Sequence, residues 1–134
     1  MLRILLILSG IVGMASVAEQ PVLAKADTSA TPAAAPAVDF GRQIRPILSD
    51  KCFACHGPDE QTRAAGLRLD IKDTVLAPAK SGKIPVVPGD LERSELIRRV
   101  LTHDPADKMP PAKETRQPTA QEIELLKQWV AQGA

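Results

Sequence analysis

Cys52-Phe53-Ala54-Cys55-His56 forms a C-x-x-C-H pattern in a chain of 134 residues. This pattern is the attachment signature of c-type haem. Two thiols three positions apart can each form a thioether with one vinyl group of the porphyrin, and the histidine that follows can supply the proximal iron ligand. The motif therefore predicts one covalent haem c, with Cys52 and Cys55 as its thioether positions and His56 as an iron ligand.

Zinc binding and thiol–disulfide exchange are the alternative chemistries for such closely spaced cysteines. A zinc site would usually show a second pair of ligands, and the only other histidine is His103, with no further cysteine. A thioredoxin-like pair would need a βαβ setting, which the pattern of the chain does not show. A disulfide closing so short a loop would stabilise the fold little. Haem attachment is therefore the favoured interpretation.

A haem iron with two protein ligands needs a second donor, and Met109 is the favoured residue. The other methionines, Met1 and Met14, lie in the N-terminal segment that we expect to be removed. Met109 precedes Pro110-Pro111, and proline biases the preceding residue towards an extended backbone. Thioether sulfur is a soft ligand, and Met/His ligation raises the reduction potential. His103 is the less favoured alternative, and an open or water-bound position is the third.

The N-terminal segment has the pattern of a signal peptide. Met1-Leu2-Arg3 is basic, and residues 4–17 are almost wholly apolar or small. That run is shorter than the roughly 20 residues that a membrane-spanning helix needs. We expect cleavage after Ala26, with Ala18 as the alternative, and an uncleaved anchor is less favoured. This predicts a periplasmic or otherwise exported protein with no stable membrane span after cleavage.

The rest of the chain divides into a linker and one domain. Residues 27–38 are rich in alanine and proline, which predicts a flexible or polyproline-like tether. Residues 39–134 then form a single domain with few aromatic side chains, so a haem would add substantially to a thin core. The net charge of +1 gives no indication of nucleic-acid binding.

Apolar spacing predicts an all-α domain. A first helix runs from Phe40 to about Asp50, capped by Asp39, with a break near Pro46. A second is expected over residues 91–101 with Asp90 as N-cap, a buried face of Leu96, Ile97, Val100 and Leu101, and Arg93, Arg98 and Arg99 pointing largely outward. The last helix begins with a Thr119-x-x-Glu122 capping box, presents Ile123, Leu126, Trp129 and Val130, and ends at Gly133.

Several further motifs occur in the same order as in a known family. They are Val38-Asp39-Phe40, Ile44-Arg45-Pro46-Ile47-Leu48, Ala65-Gly66-Leu67-Arg68-Leu69-Asp70, Val87-Pro88-Gly89-Asp90, Ser94-Glu95-Leu96-Ile97-Arg98-Arg99, Lys108-Met109-Pro110-Pro111 and Leu125-Leu126-Lys127-Gln128-Trp129-Val130. With the C-x-x-C-H motif, the chain resembles the planctomycete-type cytochrome c domain over residues 39–134. The resemblance implies a small cytochrome c-like helical domain around one haem, with long loops, and the same thioether and ligand positions. Family members often carry this domain in larger exported proteins, so a free-standing carrier and a fragment of a longer protein are both expected possibilities.

The favoured function is electron transfer by a monohaem c-type cytochrome with redox partner proteins. An enzyme of the peroxidase type would need an open sixth position on the iron and polar groups above it, for which the chain offers little. A redox or ligand-sensing module that docks on an oxidoreductase is the other alternative. Arg63 and Arg68 could pair with haem propionates or a partner, although solvated surface charge is favoured for both.

Overall fold

The structure of this protein is a computed structural model that describes residues 36–134. The predicted signal peptide (1–26), both of its cleavage sites, Met1, Met14 and most of the predicted linker lie outside the described residues. The predictions made for that segment therefore remain predictions.

Helices make up the regular structure of the described segment. They are α1 (Arg45–Lys51), α2 (Phe53–His56), α3 (Lys72–Leu76), α4 (Glu95–Leu101) and α5 (Ala120–Ala131), with a π-helical turn at Phe40–Ile44 and a 3₁₀ turn at Ala64–Gly66. Over residues 36–134 there is no β-strand, apart from an isolated bridge between Val87 and Asp90. The predicted all-α class is confirmed for this part of the chain.

The first helical segment begins at a capping residue and changes its pitch before a proline. The Asp39 side chain accepts a hydrogen bond from the backbone N–H of Arg42 at 3.0 Å, as the sequence predicts. Pro46 lies in the first turn of α1, where proline is common because its fixed φ suits the start of a helix. The predicted break therefore takes the form of a π-helical turn joined directly to α1.

Helix α4 begins later than the sequence analysis predicts, and Asp90 is not its N-cap. Ser94 occupies that position. Asp90 instead closes a tight turn after Gly89, whose φ of +77° favours glycine, and its carboxylate accepts hydrogen bonds from Arg93. The buried Ser94 hydroxyl donates to the Asp90 carbonyl at 2.6 Å. The prediction of a helix from residue 91 is wrong because this turn already uses the capping carboxylate.

Helix α5 matches its sequence pattern and also fixes the end of the predicted linker. Thr119 and Glu122 form the reciprocal capping box. Beyond the helix, Gly133 has a φ of +105°, a conformation that favours glycine. The Gln132 side chain accepts from the Val38 N–H at 2.8 Å and donates to the Pro36 carbonyl at 3.2 Å. Residues 36–38 of the predicted linker are therefore held against the domain.

A core of buried apolar side chains joins the helices. Its members are Ile44, Ile47, Leu48, Leu69, Val75, Val86, Leu96, Ile97, Val100, Leu126, Trp129 and Val130. Leu101, predicted to be buried, is 47% exposed because it is the final residue of α4, where the helix ends. None of the helices within residues 36–134 is long and apolar enough to span a membrane.

Candidate haem-binding site

A cavity of about 250 Å³ brings together the residues that the sequence singles out. Cys52, Cys55, His56 and Met109 all line it, although more than 50 residues separate the motif from the methionine. The walls come from α2, the Ala64–Gly66 turn, α4 and the loop before α5. Most of the remaining lining is apolar: Ala54, Ala65, Leu67, Leu69, Ala79, Pro85, Leu96, Val100, Pro110 and Pro111. An apolar cavity with a few converging donors is the usual form of a cofactor site.

The C-x-x-C-H motif forms a helical turn that continues from α1. The Cys52 N–H donates to the Leu48 carbonyl at 2.9 Å, and the His56 N–H donates to the Cys52 carbonyl at 2.8 Å. Because residues four apart lie on the same face of a helix, the turn presents Cys52 and His56 on one side. Local backbone hydrogen bonds thus give the motif its shape.

Gly57 is required where the motif ends. A Cβ atom at this position would lie 2.3 Å from the Phe53 carbonyl oxygen and 2.9 Å from the Phe53 Cβ. Arg63 closes the same bend, since its guanidinium donates to the carbonyls of Gly57 at 2.9 Å and Pro58 at 2.6 Å. The chain can therefore turn away directly after His56 only with glycine at position 57.

Both cysteines are free thiols, and their environments differ. Cys55 is exposed, whereas burial raises the pKa of the Cys52 thiol to about 12, with Cys55 adding to the effect. Thiol–disulfide oxidoreductases depend on a cysteine whose pKa is lowered, so that thiolate is present at neutral pH. The raised pKa of Cys52 is the opposite of what such a redox pair needs, and it argues against the thioredoxin-like alternative.

His56 combines a neutral ring with an unpaired nitrogen. Burial lowers the pKa of His56. The interaction with the Ala64 backbone raises this pKa, and the positive charge of Arg99 lowers it further. A metal-binding imidazole must be neutral, so the environment favours the form that binds iron. In the described part of the chain, His56 Nδ1 is the buried side-chain nitrogen or oxygen without a hydrogen-bond partner at normal geometry. Such atoms are rare in folded proteins, and a redox or catalytic role is one of their explanations.

Met109 is held at the cavity by α4. Its backbone N–H donates to the Arg99 carbonyl at 3.0 Å. The Arg99 side chain donates to the Asp107 carbonyl at 3.1 Å and to a Glu95 carboxylate oxygen at 2.8 Å. One residue of α4 therefore anchors the methionine loop through both its backbone and its side chain. Arg99 is half-buried and lines the cavity, so the prediction that it points outward is wrong.

Glu95 is the centre of the charged network that holds this loop. Arg98 donates to both of its carboxylate oxygens, at 2.8 and 2.7 Å, and also pairs with Asp107 at 2.8 Å. The Arg98 hydrogen bonds, with those of Arg99, lower the pKa of Glu95 to about 2 despite the opposing effect of burial. We call Glu95, Arg98, Arg99 and Asp107 the loop clamp. The sequence analysis missed it, although the three- and four-residue spacing of Glu95 from the two arginines is a recognised pairing signal.

Gln117 organises the loop on the other side of Met109. Its side-chain amide donates to the carbonyl of Pro111 at 2.9 Å and to that of Glu114 at 3.1 Å. A glutamine in a proline-rich loop carries no sequence signal for this role. The methionine is thus fixed between the loop clamp and a glutamine that ties the following turn.

The other candidates from the sequence lie away from the cavity. His103 is exposed and is not among the cavity residues. Arg68 pairs with Asp70, with Nε 2.7 Å from Oδ1, and Arg63 is occupied by the backbone after His56. Neither arginine lines the cavity. Arg68 forms an ion pair with Asp70, and Arg63 stabilises the bend that follows His56. Residues 36–134 contain no grouping of three or more histidine, cysteine or carboxylate side chains suited to holding a metal ion.

A known protein family matches the segment that contains these residues. Residues 52–113 match the family model of planctomycete cytochrome C. The chain contains a planctomycete-type cytochrome c domain. The matched segment begins at the first cysteine of the motif and extends past Met109. No curated protein and no solved structure matches the chain significantly.

The residues of this cytochrome c domain fit a c-type haem. Two free thiols, an imidazole whose pKa is lowered by burial and a thioether line the same largely apolar cavity. Thiols can form the two thioethers, while nitrogen and soft sulfur are ordinary axial donors to haem iron. The family and the donor set therefore both indicate a c-type cytochrome.

Proposed function

We propose that this protein carries one covalently attached haem, ligated by His56 and Met109, and transfers single electrons between partner proteins. The observation that carries the proposal is the convergence of Cys52, Cys55, His56 and Met109 on one cavity. When bound, the haem supplies a one-electron ferric/ferrous couple; the chain supplies the attachment, the ligands and the surroundings of the iron.

Each of these residues has a distinct task in the proposal. Cys52 and Cys55 hold the porphyrin through two thioether bonds, so the cofactor is not lost when the iron changes its oxidation state. His56 donates an imidazole nitrogen from a rigid helical turn. Met109 donates its sulfur from a loop fixed at both sides, and this ligand raises the reduction potential and blocks access to the iron.

The apolar walls serve the same function. Low polarity around the iron disfavours the extra positive charge of the ferric state and excludes water. Fixed ligands and a fixed cavity also reduce the rearrangement that accompanies electron transfer. These properties favour a carrier over an enzyme, which would need an accessible iron.

We also propose that the protein works outside the cytoplasm, with redox partner proteins of unknown identity. This rests on the signal-like pattern of residues 1–26 and on the fact that haem attachment to thiols occurs in exported proteins. Periplasmic fractionation of cells that produce the full chain, with cleavage located by N-terminal sequencing, tests it. Recovery of the uncleaved protein from the cytoplasm would contradict this part of the proposal.

Ligand exchange in the oxidised, haem-loaded protein tests the proposed function. A His/Met-ligated carrier shows the weak long-wavelength absorption band of sulfur bound to ferric iron and reacts slowly with cyanide. Met109→Ala should lose the band and bind cyanide rapidly, while His103→Ala should keep both properties of the wild type. Rapid cyanide binding by the wild type would favour the peroxidase-like enzyme or the ligand sensor instead.

A further inference from the structure

Two lysines of one turn line the haem cavity without an ion-pair partner. Lys80 and Lys83 belong to the cavity lining, and within residues 36–134 neither has a carboxylate within ion-pairing distance. The other cations of the lining are engaged: Lys51 with Asp50 at 2.7 Å, Arg99 with Glu95 at 2.8 Å and Arg116 with Asp50 at 3.9 Å.

The backbone fixes where these lysines stand. The segment from Ala79 to Lys83, here the lysine turn, is closed by hydrogen bonds from Ala79 N–H to the Lys83 carbonyl at 2.9 Å and from Gly82 N–H to the Ala79 carbonyl at 2.8 Å. Gly82 has a φ of +76°, which suits glycine in this turn. Both lysines therefore project from a short closed loop at the wall of the cavity.

Gly66 leaves the space that the Lys80 side chain occupies. A Cβ atom at Gly66 would lie 3.1 Å from both Cε and Nζ of Lys80. The neighbouring residues Ala65 and Leu67 also line the cavity. Lys80 is exposed, and its side chain lies against Gly66, so its ammonium group is placed beside the segment that follows His56.

The positive charges of Lys80 and Lys83 could be balanced by the negative propionates of a haem. A haem carries two propionate carboxylates, and an ionised carboxylate placed against apolar walls needs a cation or several hydrogen bonds. Arg63 and Arg68, which the sequence offers for this purpose, are bound to other groups. Besides Lys80 and Lys83, the titratable groups that line the cavity are Lys51, Cys52, Cys55, His56, Glu95, Arg99, Glu114 and Arg116, and the two thiols become uncharged thioethers when haem is attached. Two propionates would bring the excess positive charge of this lining close to neutrality.

We propose that Lys80 and Lys83 bind the propionate carboxylates of the haem. This inference rests on the proposed function, because it requires a haem in the cavity. The C-x-x-C-H motif would then hold the haem through its thioether bonds, and the lysine turn would hold it through its propionates.

The test is a titration of the propionates in the reduced, haem-loaded protein. Haem labelled with ¹³C at the propionate carboxyls reports their pKa values by NMR. Removing a nearby cation raises the pKa of a carboxyl, so the K80Q/K83Q variant should show at least one propionate pKa raised by about one unit. K80R/K83R keeps the charge and should resemble the wild type. K72Q is the matched control, since Lys72 also has no ion pair among residues 36–134 but does not line this cavity.

Each result decides the inference. Unchanged propionate pKa values in K80Q/K83Q, or equal shifts in K72Q, would overturn it and would leave the lysines for the docking of an acidic partner. The single variants K80Q and K83Q give the same decision if the double variant matures poorly. If the wild type holds covalent haem but the lysine variants keep its propionate pKa values, this inference alone is refuted. If the wild type holds no covalent haem, the proposed function and the inference are both refuted.

Discussion

Replacing Glu95 with glutamine removes the carboxylate at the centre of the loop clamp while keeping the size of the side chain. Glu95 accepts two hydrogen bonds from Arg98 and one from Arg99, and its side chain is only 14% exposed. Arg99 also holds the Asp107 carbonyl and accepts the Met109 N–H. The substitution should therefore affect both the stability of the domain and the position of the methionine.

The size of the stability effect follows from the pKa of Glu95. A fall from 4.5 to about 2 corresponds to roughly 3 kcal/mol at about 1.4 kcal/mol per unit. This is an upper bound, because the Arg98 side chain is 41% exposed and solvent screens its charge. We expect E95Q to lower the free energy of unfolding by about 1–2 kcal/mol at neutral pH, or the melting temperature by roughly 5–10 °C.

The loss depends on pH with a definite sign. Because the folded state has the lower pKa, the carboxylate stabilises the fold fully above its unfolded pKa near 4.5, and the contribution disappears as the pH falls through about 2. Urea unfolding followed by circular dichroism measures the difference between wild type and E95Q across this range. That difference should shrink steadily between these two pH values.

E92Q is the control for E95Q. Glu92 is exposed and has no ion pair among residues 36–134, so E92Q should change the stability little. E95Q should also weaken the long-wavelength band of methionine ligation, which E92Q should leave intact. Equal stability of E95Q and wild type at neutral pH, or a difference that persists unchanged below pH ~2, would show that the loop clamp does not act as described.

Two further substitutions probe the ligand and the motif. Met109→Ala should lower the reduction potential, measured by spectroelectrochemistry, whereas His103→Ala should leave it near the wild-type value; the reverse pattern would assign the ligand to His103. Gly57→Ala should destabilise the domain by about 1–3 kcal/mol, because the new Cβ would lie 2.3 Å from the Phe53 carbonyl oxygen. Thermal unfolding measures this, with Gly41→Ala as the control since its Cβ would meet nothing closer than 3.4 Å; equal effects of the two changes would contradict the steric argument.

Local signals in the sequence predict the local structure well. The Thr119–Glu122 capping box and the apolar stripe of α5 occur where the pattern places them, because both depend on residues within one or two turns. Pro46 also marks a real change in the first helix, although its π-helical form depends on how the turn joins α1. Asp90 misled the prediction because a carboxylate can cap a helix or close a turn, and the Val87–Asp90 bridge selects the turn.

Only those site residues that belong to short sequence motifs could be predicted. Cys52, Cys55 and His56 are predicted from their spacing, and Met109 is predicted because it is the only methionine outside the predicted signal peptide. Its anchoring to Arg99 and the approach of Lys80 to Gly66 are contacts between segments distant in sequence. Such contacts depend on the packing of the whole domain, which no local pattern encodes.

The intact mass of the matured protein, measured after denaturation and acid–acetone extraction, tests covalent haem attachment most directly. Protein produced with a haem-attachment system should keep the mass of one haem and the pyridine-haemochrome spectrum of two thioether bonds, while the C52A/C55A variant should lose its haem to the solvent. Wild-type protein that has the mass of the bare polypeptide, or releases its colour on extraction, would contradict the assignment of Cys52 and Cys55.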